Sequence, residues 1–167
     1  MLKFEPLSER NIEEATELAH SVFPEDAKKE RKPGDAYRAS LEPRKYLDFY
    51  KQEGYNLLLL EYYIAREPSD KIAGVTGFYQ RDIDPKDIAW LGWYCVDPQF
   101  RGKGYGREIL EWTIDKAKEK GFTVLKLWTT TDPNEAAAQI LYEKLGFTVV
   151  REEDSEGYRT LYREKKL

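Results

Sequence analysis

At 167 residues, 41% hydrophobic and 35% charged, the chain carries enough apolar material for one core of ordinary size, so a single domain over 1–167 is expected. Its net charge of −4 lacks the positive excess that general nucleic-acid binding uses, and mildly favours a cationic partner. The lone Cys95 excludes an internal disulfide and the lone His20 leaves no His or Cys cluster for a metal, while the absence of any run of ~18 apolar residues or of a basic-then-apolar leader points to a cytoplasmic protein with no membrane span.

In chain order, residues 2–7 read as a first strand, and Ser8 can cap a helix in which Ile12, Ala15, Ala19 and Val22 share one face until Pro24 closes it. The polar stretch 24–35, with Pro33 and Gly34, reads as a loop or lid outside the core. A short helix is expected over 42–52, with Tyr46, Leu47 and Tyr50 inward. Strands follow at 56–66, 71–81 and 88–96, and the connections through Pro68 to Asp70 and Asp82 to Asp87 suit antiparallel neighbours. Helical spacing of Ile109, Leu110, Thr113, Ile114 and Ala117 predicts a helix that stops at Gly121 behind Lys116, Lys118 and Lys120. A strand at 122–130, a helix at 133–145 and a terminal strand pair around residues 155–157 complete the order.

Between the 88–96 strand and the helix after it lies the most informative stretch. Gly102, Gly104 and Gly106 alternate with Arg101, Lys103, Tyr105 and Arg107. Backbone amides of such a loop can approach an anion closely, and the first N–H groups of the helix have no partners within it. The spacing is wrong for a dinucleotide fingerprint, whose third glycine comes one residue later and is followed by an acidic residue about 20 positions on. It also lacks the lysine and hydroxyl pattern of a P-loop. A tight turn with no ligand is the plain alternative.

Arg101, Gly104 and Gly106, behind Val96, Asp97 and Pro98, resemble the acetyl-CoA signature R-x-x-G-x-G of the GCN5-related N-acetyltransferase (GNAT) superfamily. The later segment from Asn134 to Phe147 resembles that superfamily's N-x-x-A-x-x-L-Y-x-x-x-G-F run, and the two signatures with their surroundings cover roughly 72–150. The resemblance implies an α/β fold: a single-domain mixed, largely antiparallel sheet flanked by helices, with a splayed strand pair forming the acetyl-CoA cleft. Residues 24–52 would lie on the acceptor side and 88–147 would hold the cofactor and catalytic core. It further implies acetyl-CoA as cosubstrate and direct transfer to an amine of a small molecule or peptide. Contacts to acetyl-CoA would come from Tyr94, Cys95 and Val96, from Arg101, Gly102, Lys103, Gly104, Tyr105, Gly106 and Arg107, and from Asn134. A homodimer is left open. A catalytically silent CoA-binding regulatory domain and a scaffold subunit are the rival functions.

Tyr142 occupies the tyrosine of the second signature and is the candidate general acid, against the alternative that Leu141, Tyr142 and Leu145 only pack. The base is missing where relatives carry it: the two usual strands offer Trp90, Gly92 and Tyr94, or Thr129 and Thr130, with Glu61 and Glu135 as weak candidates. The signature's asparagine place holds Glu135, one residue after Asn134. Asp132, Pro133 and Glu135 also read as a helix start with a capping box. Cys95 reads as a buried small residue and not as a nucleophile. Trp90, Trp93, Tyr94, Phe78 and Tyr79 read mostly as sheet packing with some share in an acceptor pocket. Asp82, Asp84 and Asp87 read as a solvated turn, with an amine trap as the alternative.

Overall fold

A computed structural model describes residues 1–30, 32–42, 44, 51, 54–155 and 157–167. Its elements run β1 (Lys3–Pro6), α1 (Ile12–Val22), α2 (Pro33–Leu41), β2 (Leu57–Arg66), β3 (Ile72–Arg81), β4 (Ile88–Leu91), β5 (Cys95–Val96), α3 (Tyr105–Glu119), β6 (Val124–Thr130), α4 (Ala136–Lys144), β7 (Thr148–Ser155) and β8 (Tyr158–Lys166). The strands form one sheet in the order β1-β2-β3-β4-β6-β8-β7, with β5 pairing β3 off that path. Every pairing is antiparallel except β4 with β6.

Alternation along the strands divides the core into two faces. Tyr62, Ile64 and Val75 pack with Ile12, Ala15 and Ala19 of α1 and with Ala36 and Tyr37 of α2. On the opposite face Tyr63, Phe78, Leu91, Leu125 and Leu127 pack with Leu110, Ile114 and Ala117 of α3 and Tyr142 of α4. All five positions expected on one face of α3 are buried, the polar Thr113 among them. Its hydroxyl donates to Ile109 O at 2.7 Å and lies 2.7 Å from the Thr76 hydroxyl, which satisfies a polar pair inside the core.

Several local expectations are corrected. Asn11, and not Ser8, precedes the first turn of α1. Ser8 contributes its backbone, its N–H donating to Asn11 Oδ1 (2.7 Å) and its carbonyl accepting from Ile12 N (3.0 Å). The stretch 24–35 is not all loop: a short 3-10 turn covers Asp26–Lys28, and Pro33 opens α2, with Pro33 and Gly34 buried. Proline suits that place because the first helical residue needs no N–H donor. The expected helix over 42–52 falls outside the described residues apart from Glu42, Arg44 and Lys51. The 88–96 strand is broken into β4 and β5, and that break creates the cleft described next.

Candidate active site

Register exposes how the cleft forms. Along β4, Tyr79 pairs with Trp90 and Phe78 with Leu91, and Gly92 N donates to Gly77 O at 2.9 Å. Along β5 the partners are Val75 with Cys95 and Gly74 with Val96. Between Gly77 and Val75 lies one residue, whereas between Gly92 and Cys95 lie two. The extra residue is a β-bulge, and it bends the strand away from β6. Parallel pairing with β6 stops at Trp90 and Lys126, and β6 then runs on to Thr130 with a gap where β5 would have paired. Tyr62 holds the bulge: its hydroxyl accepts from Trp93 N at 3.3 Å, and its phenol fills the space where any side chain at Gly92 would stand, the hydroxyl oxygen 2.5 Å and the nearest ring carbon 2.9 Å from the Cβ position.

Backbone groups line the β5 edge of this gap. Asp97 N donates to Ala73 O at 2.9 Å, which makes Asp97 and Cys95 the residues bonded to β3. The N–H and C=O of Val96, alternate to them, therefore turn to the gap. Cys95's own backbone groups face β3, contrary to the expectation that they meet a cofactor. Its thiol is buried and pushed up to about 12, chiefly by desolvation. After a 3-10 turn at Pro98–Phe100, Gly102 and Gly104 take φ of +78° and +82° with open space beside them, and Gly104 precedes α3. Glu108 N is the first to bond within the helix, to Gly104 O at 3.1 Å, leaving the N–H groups before it directed out of the helix end. The loop cations are not equivalent. Arg107 pairs with Glu111 (2.8 Å) and Lys103 lies over the Phe100 ring (4.8 Å). Arg101 is close enough to Tyr94 and Cys95 to favour their ionised forms. Tyr94 donates its hydroxyl to Gly106 O at 3.1 Å, so it ties the bulge to the first turn of α3.

Side chains occupy the β6 edge. Thr131 N donates to Arg159 O (2.8 Å), and in this register the N–H and C=O of Thr130 point away from β8, into the gap. Both are taken by α4 and its entry. Glu135 Oε2 accepts from Thr130 N (2.7 Å), Oε1 from the Thr130 hydroxyl (3.2 Å), and Gln139 Nε2 donates to Thr130 O (2.5 Å). The capping box therefore does not form: Asp132 Oδ1 caps Asn134 N (2.8 Å), and Glu135 reaches back to the strand. Burial raises the Glu135 carboxyl from its ordinary value, partly offset by the Thr130 hydrogen bonds. Tyr142, 5% exposed, follows on α4 with its ring 5.8 Å from Phe147 and 6.4 Å from Tyr94. Desolvation raises its phenol, the Glu135 charge raises it further, and Arg163 acts against both. Thr129, beside Thr130 on β6, keeps a buried hydroxyl with no partner among the described residues.

Comparison with known proteins agrees with this geometry. Residues 20–147 match the family described as acetyltransferase (GNAT) family. The chain belongs to that family. The ribosomal protein bS18-alanine N-acetyltransferase of Salmonella typhimurium strain LT2 is 44% identical over 61 residues, 36% of this chain and 40% of that protein, so the match spans less than half of the relative's length. The crystal structure of the ribosomal-protein-S18-alanine N-acetyltransferase from Escherichia coli superimposes with a TM-score of 0.68 at 19% identity, over 99% of this chain and 94% of that one. A chain from the NatC complex bound to Gag peptide and CoA gives 0.69 at 20% identity, over 99% and 98%. At these identities the two structures speak for the fold alone.

Within the GNAT fold, the sequence candidates separate. Val96, the glycine loop, Glu135 and Tyr142 border one gap, whereas Glu61 does not join them. Its carboxylate accepts from Lys120 Nζ and from the Tyr63 hydroxyl, both at 2.6 Å, at the far end of α3 from the glycine loop. Asn134 is exposed and its backbone serves the cap. The acidic turn is internally committed: Asp82 accepts from Asn56, Asp84 from Arg81 and Trp90, and Asp87 from Thr123. Sequence reading missed Tyr62 and Gln139. Only Gly92 hinted at Tyr62, and nothing in the spacing marks Gln139.

Proposed function

We propose that the chain is a cytoplasmic N-acetyltransferase that moves an acetyl group from acetyl-CoA directly to an amine. The observation that carries this reading is the gap itself, bordered by outward backbone groups, a helix entry and a carboxyl and phenol on the facing edge. The residues present suit acetyl-CoA: Gly102 and Gly104 hold positive φ with open space beside them, and the buried Thr129 hydroxyl lacks a partner among the described residues. Loop amides from 102 to 107 would hold the pyrophosphate with Arg101 beside them, and the Val96 N–H and C=O would hold the pantetheine arm. Asn134 stands as a further contact at the rim.

Bound acetyl-CoA supplies the thioester carbon that the amine attacks and the sulfur that leaves. An alkylammonium near pKa 10.4 must lose a proton at about 4 to 5 kcal/mol at neutral pH, so a base in the gap lowers the barrier. Glu135 is that base in our reading, since its carboxylate lies on the gap side of β6, and Glu61 is not. Glu135 first takes the ammonium proton to free the amine lone pair. As the C–N bond forms and the C–S bond breaks, the Tyr142 phenol gives its proton to the departing sulfur, and the proton then lost from the new amide nitrogen restores the phenol. Cys95 takes no part, because a thiol held near 12 is not ionised at neutral pH. The test is release of free CoA thiol across a panel of amines with matched mass-spectrometric detection of the acetylated product. Turnover with at least one amine is expected; CoA binding with no turnover on any amine would replace this reading with a silent CoA-binding domain.

A further inference from the structure

Helices α1 and α2 pack against β2 and β3. Beyond them the same sheet face opens into a groove of about 500 Å³. Trp90 and Lys126, the last parallel pair of β4 and β6, lie in its floor, and Trp128, next on the same face of β6, is 52% exposed. One strand step of two residues spans about 6 to 7 Å, so the groove runs up to the mouth of the gap from the face opposite α3 and α4.

Its lining is richer in cations than the chain as a whole. Arg81, Lys126, Arg151 and Arg163 line it with Asp84 as the one lining carboxylate among the described residues, on a protein of net charge −4. Asp84 is already neutralised: Arg81 donates to it from Nε and Nη2 (2.6 and 2.9 Å) and Trp90 Nε1 at 2.8 Å. Arg81 then lies over the Trp90 ring, 4.3 Å from its centre. Arg163 turns to the other face, where Nη2 donates to Glu143 Oε1 at 3.0 Å, and its Nε is buried with no partner among the described residues. Arg151 sits 3.8 Å over the Tyr162 ring and pairs with Glu153. Lys126 makes the longest ion pair among the groove's described cations, with Glu164 at 4.0 Å, the limit of such a pair, with Asp84 within electrostatic reach, and with its ammonium 5.7 Å from the Trp90 ring centre. A polyamine would bring like charge to this floor, whereas an anion would complete it.

We propose that the groove receives a carboxylate borne by the amine acceptor, held at Lys126, with the acceptor's flat or apolar part against Trp90 and Trp128. The acceptor class is thus an amine that carries a carboxylate, either a free amino acid or a peptide with an acidic residue near its N-terminus, and not the cationic acceptor that whole-chain charge favours. This rests on the gap being the acetyl-transfer site. The test uses pairs that differ only in the carboxylate: phenylalanine against phenylalaninamide for the free amino acid, and Ala-Asp amide against Ala-Asn amide for the peptide. Each is titrated calorimetrically into the protein with and without CoA. In at least one pair the acid is expected to bind about tenfold more tightly, with Lys126→Gln removing the difference and Lys126→Arg keeping it. Equal binding within both pairs, no binding of either acid, or a preference that survives Lys126→Gln overturns the proposal. The CoA titration of the same sample is read separately. Failure of CoA to bind defeats the reading of the gap, whereas CoA binding without a carboxylate preference defeats only this inference.

Discussion

The β5 edge of the gap, with the entry to α3, is made of backbone, whereas the β6 edge is made of side chains folded back onto a strand. On the first edge, a one-residue bulge, two positive φ angles and a helix end aim N–H and C=O groups outward, and the side chains beside them hold that geometry. On the second, Thr130 offers its backbone groups to the gap and Glu135 and Gln139 take them. The contrast separates two ways of placing a functional group. A backbone edge needs particular conformations and therefore particular glycines; a side-chain edge needs only that some residue reach the right place, so a carboxylate can arrive from the entry to α4 when the strand itself carries threonine.

Breaking the backbone edge is expected to have the largest effect. Gly104→Val puts a β-branched residue at φ +82° and a methyl group into the open space beside the loop, so the thermal shift on adding CoA should vanish. A folded variant with unchanged CoA affinity would show that the loop is only a turn. On the other edge, Glu135→Gln should lower kcat/KM by about 10² to 10⁴-fold and erase an acid limb raised from the ordinary glutamate value, while Glu61→Gln leaves the profile in place. A limb that instead tracks the amine pKa across a series of acceptors would remove Glu135 from the chemistry. Stability distinguishes this from a structural role. Because the folded state raises the Glu135 pKa, it holds that proton more tightly than the unfolded chain, and the associated stability is lost as pH rises through the folded value. The glutamine variant keeps an acceptor for Thr130 N–H, so its Tm at neutral pH should not fall below that of the parent. Tyr142→Phe should lower kcat by about 10 to 10³-fold with CoA affinity little changed; an unaltered rate would return the ring to packing.

These edges also differ in how far the sequence discloses them. Ile109, Leu110, Thr113, Ile114 and Ala117 mark the buried side of α3 by spacing alone, and the glycine loop marks its entry, because both are local patterns. The bulge is not local: it follows from the register of β3 against a broken partner, and from Tyr62 two strands away. Glu135 was ambiguous for a related reason. Asp132, Pro133 and Glu135 spell a capping box, but the Thr130 N–H, turned from β8 by the sheet register, competes for the carboxylate and wins. Pro33 and Gly34 misled in the opposite sense, since the same pair can break a chain or open a helix, and only packing of Ala36 and Tyr37 against α1 decides.

The smallest expected effect sharpens the account of the bulge. Tyr62→Phe removes one hydroxyl that accepts a long hydrogen bond, and should lower stability by about 1 kcal/mol or less in denaturant titration. A loss of several kcal/mol would mean that the hydroxyl supports more than Trp93.

The most direct measurement of the central claim is amide hydrogen exchange with and without CoA, read residue by residue. Slowed exchange is expected at Val96 and across 102–107, with β1 and the β7–β8 hairpin unchanged. Protection absent from those two segments, or appearing instead along the groove at Trp90 and Lys126, would contradict it.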